Sequence, residues 1–365
     1  MTPAWKPYSA PAQTEPLRGL RPCADCAPGH IHIAHLPFTT DGDYPLKQAH
    51  PDKRRQRRYA WTFLAGIALL SAAALYLSYE ARGESVEVLN RVVYATHEDN
   101  DLHLTLYLPS TPESATEAIA ARPAVLLFHG GGWIAGTRHQ LAWYGHELAE
   151  QGYVAASVSY RMMPRYRFPE PVHDAKAAVR WMRQHAKDYH IDPDRIAASG
   201  HSAGGHLAMM LGTTSGHPFL EGEKNPGESS AVQAVISVYG AVDLTPYADP
   251  DSWIRIGGIA KQMIEYFVEE LEEKEEDALK SASPVTYIGP DSAPTLFIHG
   301  ADDNVVPVEA AYKAYYLLRD AGTPARFVLL PDTGHSFDHF RPVLRTMIFN
   351  EMLDFLEEHL GKNGP

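Results

Sequence analysis

From about residue 86 onward the apolar positions follow two rhythms. LNRVVYA and HLTLYLP partly alternate, as strands with one buried face do, and predict a hairpin or two neighbouring strands with Asp99-Asn100-Asp101 as the turn. Beyond them, short continuous apolar runs take turns with stretches of helical period. AVLLFHG (124–130), YVAASVSY (153–160), RIAASGHS (195–202), AVQAVISVYG (231–240), TLFIHG (295–300) and ARFVLLP read as buried strands. Helices are predicted near 140–151, from Val172 to about Tyr189 with Val172, Ala175, Val179 and Met182 on one face, after Ser202, and around 308–321 and 341–359. Short apolar strands separated by helices predict an α/β domain over 89–360, with a mostly parallel central sheet covered on both faces. No internal repeat divides it.

Residues 243–290 interrupt this alternation. IAKQMIEYFVEELEEKEEDALK predicts an amphipathic helix whose Ile259, Met263, Phe267 and Leu271 form an apolar stripe, and eight acids fall between Glu265 and Asp277. Two readings stand, a solvated surface helix and a partial cap near a substrate entrance.

The N-terminal part has a different character. Residues 59–79, YAWTFLAGIALLSAAALYLSY, carry no charge, and 21 residues of helix extend about 31 Å, the thickness of a bilayer core. Tyr59 and Trp61 at one end and Tyr76 and Tyr79 at the other suit the two interfaces. Lys53, Arg54, Arg55, Arg57 and Arg58 precede the run, whereas Glu80-Ala81-Arg82-Gly83-Glu84 follows it. By the positive-inside rule this predicts a signal-anchor: a poorly ordered cytoplasmic tail over 1–58, one transmembrane helix over 59–79 and a connector over 80–88. The large domain is then expected on the extracytoplasmic side, in the periplasm or on the outer face of a bacterial inner membrane. A cleaved secretory signal would not normally begin after more than 50 residues.

The charge balance sharpens that division. The chain's 365 residues include 32 Lys/Arg and 45 Asp/Glu, net -13, with +4 on residues 1–59 and -17 on the remainder. Nucleic acid is therefore not expected as a partner of the large domain. Both cysteines, Cys23 and Cys26, lie in the tail, so the large domain has neither a disulfide nor a thiol nucleophile. Cys23-x-x-Cys26 followed by His30, His32 and His35 has ligand-type spacing but lacks the second paired unit of a strong zinc signature. A loosely ordered tail is the plain alternative, and no metal is assigned.

The chemistry concentrates in three places. Gly200-His201-Ser202-Ala203-Gly204 is a G-x-S-x-G sequence between a buried strand and a helix, where small neighbours permit the sharp turn that raises a serine hydroxyl above a sheet. A serine needs a base, and Gly334-His335 follows the final strand in the required order. Asp303, in HGADDNVVP after the TLFIHG strand, is placed to orient His335, with its neighbour Asp302 as the competitor. Upstream, His129-Gly130-Gly131-Gly132-Trp133 follows a buried strand, and the amides of Gly131 and Gly132 can join that of Ala203 in an oxyanion hole. A phosphate loop is excluded, since neither the GxxxxGK[ST] spacing nor a suitable lysine follows. His129 is expected to shape the loop by hydrogen bonding rather than to serve as base.

HGGGW at 129–133, SYRMMPRYRFPEPVHDAKAAVRWM at 159–182, GHSAGGHLA at 200–208 and HGADDNVVP at 299–307, in that order, resemble the α/β-hydrolase carboxylesterases related to hormone-sensitive lipase. The resemblance is nearest the esterase and arylformamidase branch that includes feruloyl-esterase-like enzymes, and it spans about residues 90–360. It implies an α/β-hydrolase fold, with Ser202 as nucleophile, Asp303 as acid, His335 as base and Gly131, Gly132 and Ala203 in the oxyanion role. The family often carries an alanine-proline-glutamate run after its Tyr-Arg pair, where this chain has Met162-Met163-Pro164-Arg165, so cap packing and acyl-pocket shape are expected to differ. The N-terminal 80 residues lie outside the resemblance.

The expected activity is that of a serine carboxylesterase on small or aromatic esters, through an acyl-enzyme and with no metal or organic cofactor. Trp133, Met162, Met163 and Phe168 are candidates for an apolar substrate pocket, with ordinary packing as the alternative. The competing functions are arylformamide hydrolysis, peptidase action and a noncatalytic membrane-tethered binding module.

Overall fold

The first two strands, β1 (Val86–His97) and β2 (Asn100–Pro109), form the predicted hairpin, antiparallel and joined by a connection shorter than expected. Asn100 pairs with His97 and Asp101 with Thr96, so both residues belong to β2 rather than to the turn. A two-residue connection is the commonest link in an antiparallel hairpin, and the ladder shifts register twice along β1, between Leu89 and Val92 and between Val93 and Ala95. β1 includes Val86, Glu87 and Val88, which the expected connector had covered.

A computed structural model of the chain describes residues 86–98, 100–110, 120–247, 258–271 and 274–361. The predicted tail, the predicted transmembrane helix at 59–79, Cys23 and Cys26 lie outside the described residues. Among the described residues no helix is long and apolar enough to cross a membrane.

Six further strands complete one eight-stranded sheet: β3 (Arg122–Phe128), β4 (Val154–Val158), β5 (Ile191–His201), β6 (Ala234–Val238), β7 (Thr295–Gly300) and β8 (Ala325–Leu330). Their order is β1-β2-β4-β3-β5-β6-β7-β8, with β1, β2 and β4 paired antiparallel and all other neighbours parallel. This is the α/β-hydrolase arrangement, a mostly parallel sheet with helices on both faces. β3 sits at the centre, and its side chains divide between the faces as a period of two requires. Leu126 and Phe128 join the core under α2 (Glu170–Gln184), α3 (Ala203–Thr213) and α6 (Val308–Asp320). Val125 and Leu127 join the core under α1 (Ala142–Glu150) and α8 (Pro342–Leu360). Every residue of β4 and β6 is buried, which is why these strands read as unbroken apolar runs.

The predicted helix over 259–280 is two helices, α4 (Gly258–Val268) and α5 (Glu275–Ser281). The break falls on the acidic run, where Glu265 and Glu269 stand four apart and a continued helix would stack like charges. α4 is not a solvated helix throughout, because Ile264, Phe267 and Val268 are all buried. Fully burying a side chain such as Phe267 contributes about 1.5–3 kcal/mol, enough to hold α4 against the body of the domain. A short helix, α7 (Phe337–Phe340), precedes α8.

Candidate active site

Parallel strands aligned in one direction leave their following loops along a single edge. The loops after β3, β5, β7 and β8 therefore gather 129–133, Ser202, Asp303 and His335 at that edge, although they are far apart in the chain. Ser202 stands between β5 and α3 with φ 55° and ψ -118°, a conformation L-residues rarely adopt. The turn is possible because Gly204 has no side chain: a Cβ there would come within 2.0 Å of the Phe128 carbonyl oxygen. The Ser202 amide donates to the Val238 carbonyl at 3.0 Å, which ties the turn to the end of β6.

The three sequence-predicted side chains meet in one line. His335 Nε2 lies 3.0 Å from Ser202 Oγ, and His335 Nδ1 lies 2.7 Å from Asp303 Oδ2. Asp303 Oδ1 accepts the amides of Val305 and Val306, both at 2.9 Å. Burial of Asp303 opposes its ionisation, but hydrogen bonds from His299 and His335 outweigh this and hold the carboxyl well below the usual carboxylate range. Its neighbour Asp302 is exposed, and its amide donates to the Thr333 carbonyl at 2.9 Å. The doublet is thus split between a buried carboxylate on His335 and a surface one.

In the loop after β3, Gly130 borders the serine turn, a Cβ there lying 3.2 Å from the Ser202 Cβ, and Gly131 and Gly132 take φ 118° and φ 61°. A Cβ on Gly131 would fall 2.0 Å from the Ala135 carbonyl oxygen, so the loop closes only with glycine there. Ala203 opens α3 directly after the serine turn, where the first amides of a helix have no partner within it. His129 is buried, its Nδ1 2.8 Å from the Gly130 carbonyl oxygen and its ring stacked on Tyr160, and burial pushes it down to about 4. A neutral, enclosed imidazole shapes the loop, as expected.

Of the four pocket candidates, Trp133, Met163 and Phe168 are buried and Met162 is half-buried. Trp133 stacks on Phe267 of α4 with centroids 4.4 Å apart, and the Phe168 amide donates to the Phe267 carbonyl at 2.9 Å. These side chains fasten α4 over the glycine loop. Among the described residues no group of three or more His, Cys, Asp or Glu is arranged to hold a metal ion.

The BD-FAE family matches residues 104–318, a span that takes in the glycine loop, the serine turn and the Asp303 loop. The chain belongs to the BD-FAE family. Its kinship with α/β-hydrolases related to hormone-sensitive lipase is thereby shown. Esterase LipC of Mycobacterium tuberculosis (strain ATCC 25618 / H37Rv) is 31% identical over 221 residues, 59% of this chain and 53% of its own. Esterase LipQ of the same strain is 32% identical over 246 residues, 66% of this chain and 56% of its own. The BD-FAE chain thus spans about half the length of these curated relatives. Among solved structures, the thermophilic esterase Est2 of the Planctomycetes species Thermogutta terrifontis, with butyrate bound, superposes with a TM-score of 0.64 at 30% identity, covering 77% of this chain and 96% of that one. The same esterase is also known phosphonylated by sarin, where the TM-score is 0.64 at 29% identity, covering 79% of this chain and 99% of that one.

In this BD-FAE chain the geometry also brings in residues that the sequence reading passed over. His299, the histidine of TLFIHG, lies with Nε2 3.3 Å from Asp303 Oδ2 and 2.8 Å from the Val306 carbonyl oxygen, so Asp303 has an imidazole on each side. Met263 of α4 reaches the glycine loop: a Cβ on Gly132 would lie 2.8 Å from both its Sδ and its Cε. Its place in the apolar stripe was the available signal. Asp338, in α7, carried none.

Proposed function

We propose that the chain is a serine carboxylesterase acting on small or aromatic carboxylic esters. The observation that carries this reading is the continuous contact line Ser202 Oγ, His335 Nε2, His335 Nδ1, Asp303 Oδ2, with steps of 3.0 and 2.7 Å. Ser202 Oγ attacks the ester carbonyl carbon while His335 Nε2 takes its proton. The amides of Ala203, Gly131 and Gly132 donate to the resulting oxyanion. As the carbon–oxygen bond breaks, His335 returns the proton to the departing alcohol. Water then attacks the acyl-enzyme with His335 again as base, releasing the acid and restoring Ser202. Asp303, kept ionised, accepts the Nδ1 hydrogen throughout and stabilises the imidazolium.

The acyl side is proposed to be short. Met263 stands over Gly132, and the butyrate bound to Est2 supports an acyl group of a few carbons. Trp133, Met163 and Phe168 are buried and pack behind it rather than lining the acyl group, and only the half-buried Met162 is left as a wall candidate. A parallel assay with short-chain aryl esters and N-formylkynurenine tests the bond class: ester turnover with negligible formamide turnover is expected, and the reverse overturns the esterase reading in favour of arylformamidase action.

We further propose that residues 59–79 anchor the enzyme with the catalytic domain outside the cytoplasm, on the strength of the uncharged run and the basic cluster before it. Protease added to intact spheroplasts is expected to digest the catalytic domain and spare the tail; a protected domain overturns this placement.

A further inference from the structure

Behind Ser202 and His335 lies a second buried polar cluster that the proposed chemistry does not use. Its centre is Asp338, only 2% exposed and three residues after His335. Tyr239 Oη donates to its Oδ1 at 2.6 Å and Tyr144 Oη to its Oδ2 at 3.1 Å. His201 Nε2 lies 3.2 Å from Oδ2, and His339 Nδ1 lies 3.2 Å from Oδ1. These partners come from four places: the last residue of β5, the residue after β6, helix α1 and helix α7, which also carries Asp338. An isolated buried carboxylate is strongly disfavoured, so a carboxylate placed here is there for its partners. Burial opposes its ionisation, and His201 and His339 outweigh that, holding it well below the usual carboxylate range. Two further charged groups act on the cluster, Arg345 of α8 on Tyr144 and His339, and Asp303 on Tyr239.

Two of these partners, His201 and Tyr239, are one step from the reacting atoms. His201 immediately precedes Ser202, and Tyr239 follows Val238, whose carbonyl accepts the Ser202 amide at 3.0 Å. The Tyr239 ring meets the His335 ring edge-on with centroids 4.6 Å apart and the His201 ring at 5.5 Å. Ser202 and Tyr239 both hold positive φ, 55° and 40°, which non-glycine residues keep only where the surroundings over-determine them.

We propose that Asp338 is a positioning residue for hydrolysis: one buried carboxylate ties the nucleophile turn, through His201, to the catalytic imidazole, through Tyr239. It differs from Asp303, which binds His335 directly. The proposal rests on Ser202 as nucleophile and His335 as base. Loosening the clamp misplaces two groups that must meet within about 3–3.5 Å, and small misplacements there have large rate effects.

The test uses the full chain with Asp338→Asn, Tyr239→Phe and Tyr144→Phe. Three quantities are read: kcat and KM for p-nitrophenyl butyrate, the rate of Ser202 labelling by a fluorophosphonate, and thermal unfolding. In Asp338→Asn, kcat and the labelling rate are expected to fall together by about tenfold to hundredfold, with KM little changed. Tyr239→Phe is expected to slow both rates several-fold. Tyr144→Phe, on the same carboxylate but away from His335, is expected to lower only the unfolding temperature. A purely structural cluster would move the unfolding temperature in all three and the rates in none. A folded Asp338→Asn enzyme with wild-type rates overturns the proposal. If that variant fails to fold, equal rates in Tyr239→Phe and Tyr144→Phe overturn it. A wild type that is labelled at Ser202 but hydrolyses no ester defeats the esterase reading alone, and the labelling rates still test Asp338. A wild type that is not labelled defeats both.

Discussion

Trp133 and Phe267 lie face to face, centroids 4.4 Å apart and planes 15° from parallel, so the residue that ends the glycine loop is stacked on the helix that covers it. The contact couples the glycine loop to α4, and the hydrogen bond from the Phe168 amide to the Phe267 carbonyl at 2.9 Å holds the same residue of that helix. Removing the Phe267 ring is therefore expected to act on stability and rate together. Phe267→Ala should cost about 3–5 kcal/mol in denaturant unfolding and lower kcat for a short ester. An unfolding change below about 1 kcal/mol would mean that the stack does not hold α4.

Acyl selectivity should respond to Met263, whose thioether abuts Gly132. Met263→Ala is expected to move the optimum toward longer acyl chains, and Met263→Trp toward acetate. The chain-length profile of kcat/KM checks this, and an unchanged profile would place the acyl group elsewhere.

The two adjacent aspartates should separate cleanly. Asp303→Asn leaves His335 without the acceptor that fixes its tautomer and should lower kcat by about 10⁴-fold. Asp302→Asn removes an exposed charge and should leave kcat within about threefold, as most surface changes do. Comparable losses in the two variants would contradict the assignment of Asp303.

Stability should carry a signature of the buried cluster on the alkaline side. Burial pulls His339 down, but Asp338 beside it more than reverses this and holds His339 above the usual imidazole range. A raised value means that the folded state binds the proton more tightly than the unfolded chain. Its stabilising contribution is complete below the unfolded value of about 6.5 and disappears as pH rises through the higher folded value. Urea midpoints of the wild type should fall across that window, and His339→Gln should flatten the fall. An equal slope in both proteins would assign the pH dependence to other groups.

Much of this architecture can be read from local sequence because its signals are local. The serine turn needs a buried strand, small residues at Gly200 and Gly204 and a helix, all within about 25 consecutive residues. The order Ser202, Asp303, His335 follows from which loops a parallel sheet brings to one edge. Other features depend on contacts between distant segments and have no local signature. Phe267 reads as one member of an amphipathic stripe, and only the tertiary structure shows it lying on Trp133. Asp338 stands in the unremarkable run Ser336-Phe337-Asp338-His339, and its meaning comes from Tyr144, Tyr239 and His201, each on a different element. The break between α4 and α5 was hidden because the apolar period continues across it, while the like charges beside it disfavour a continuous helix.

The central claim is that Ser202, activated by His335, opens an ester bond. Its most direct test is turnover of p-nitrophenyl esters from two to twelve acyl carbons by the full chain, beside Ser202→Ala folded to the same unfolding temperature. Turnover with an optimum among the short chains, abolished in Ser202→Ala, is the predicted result. Hydrolysis that survives in Ser202→Ala at the wild-type rate would contradict the account.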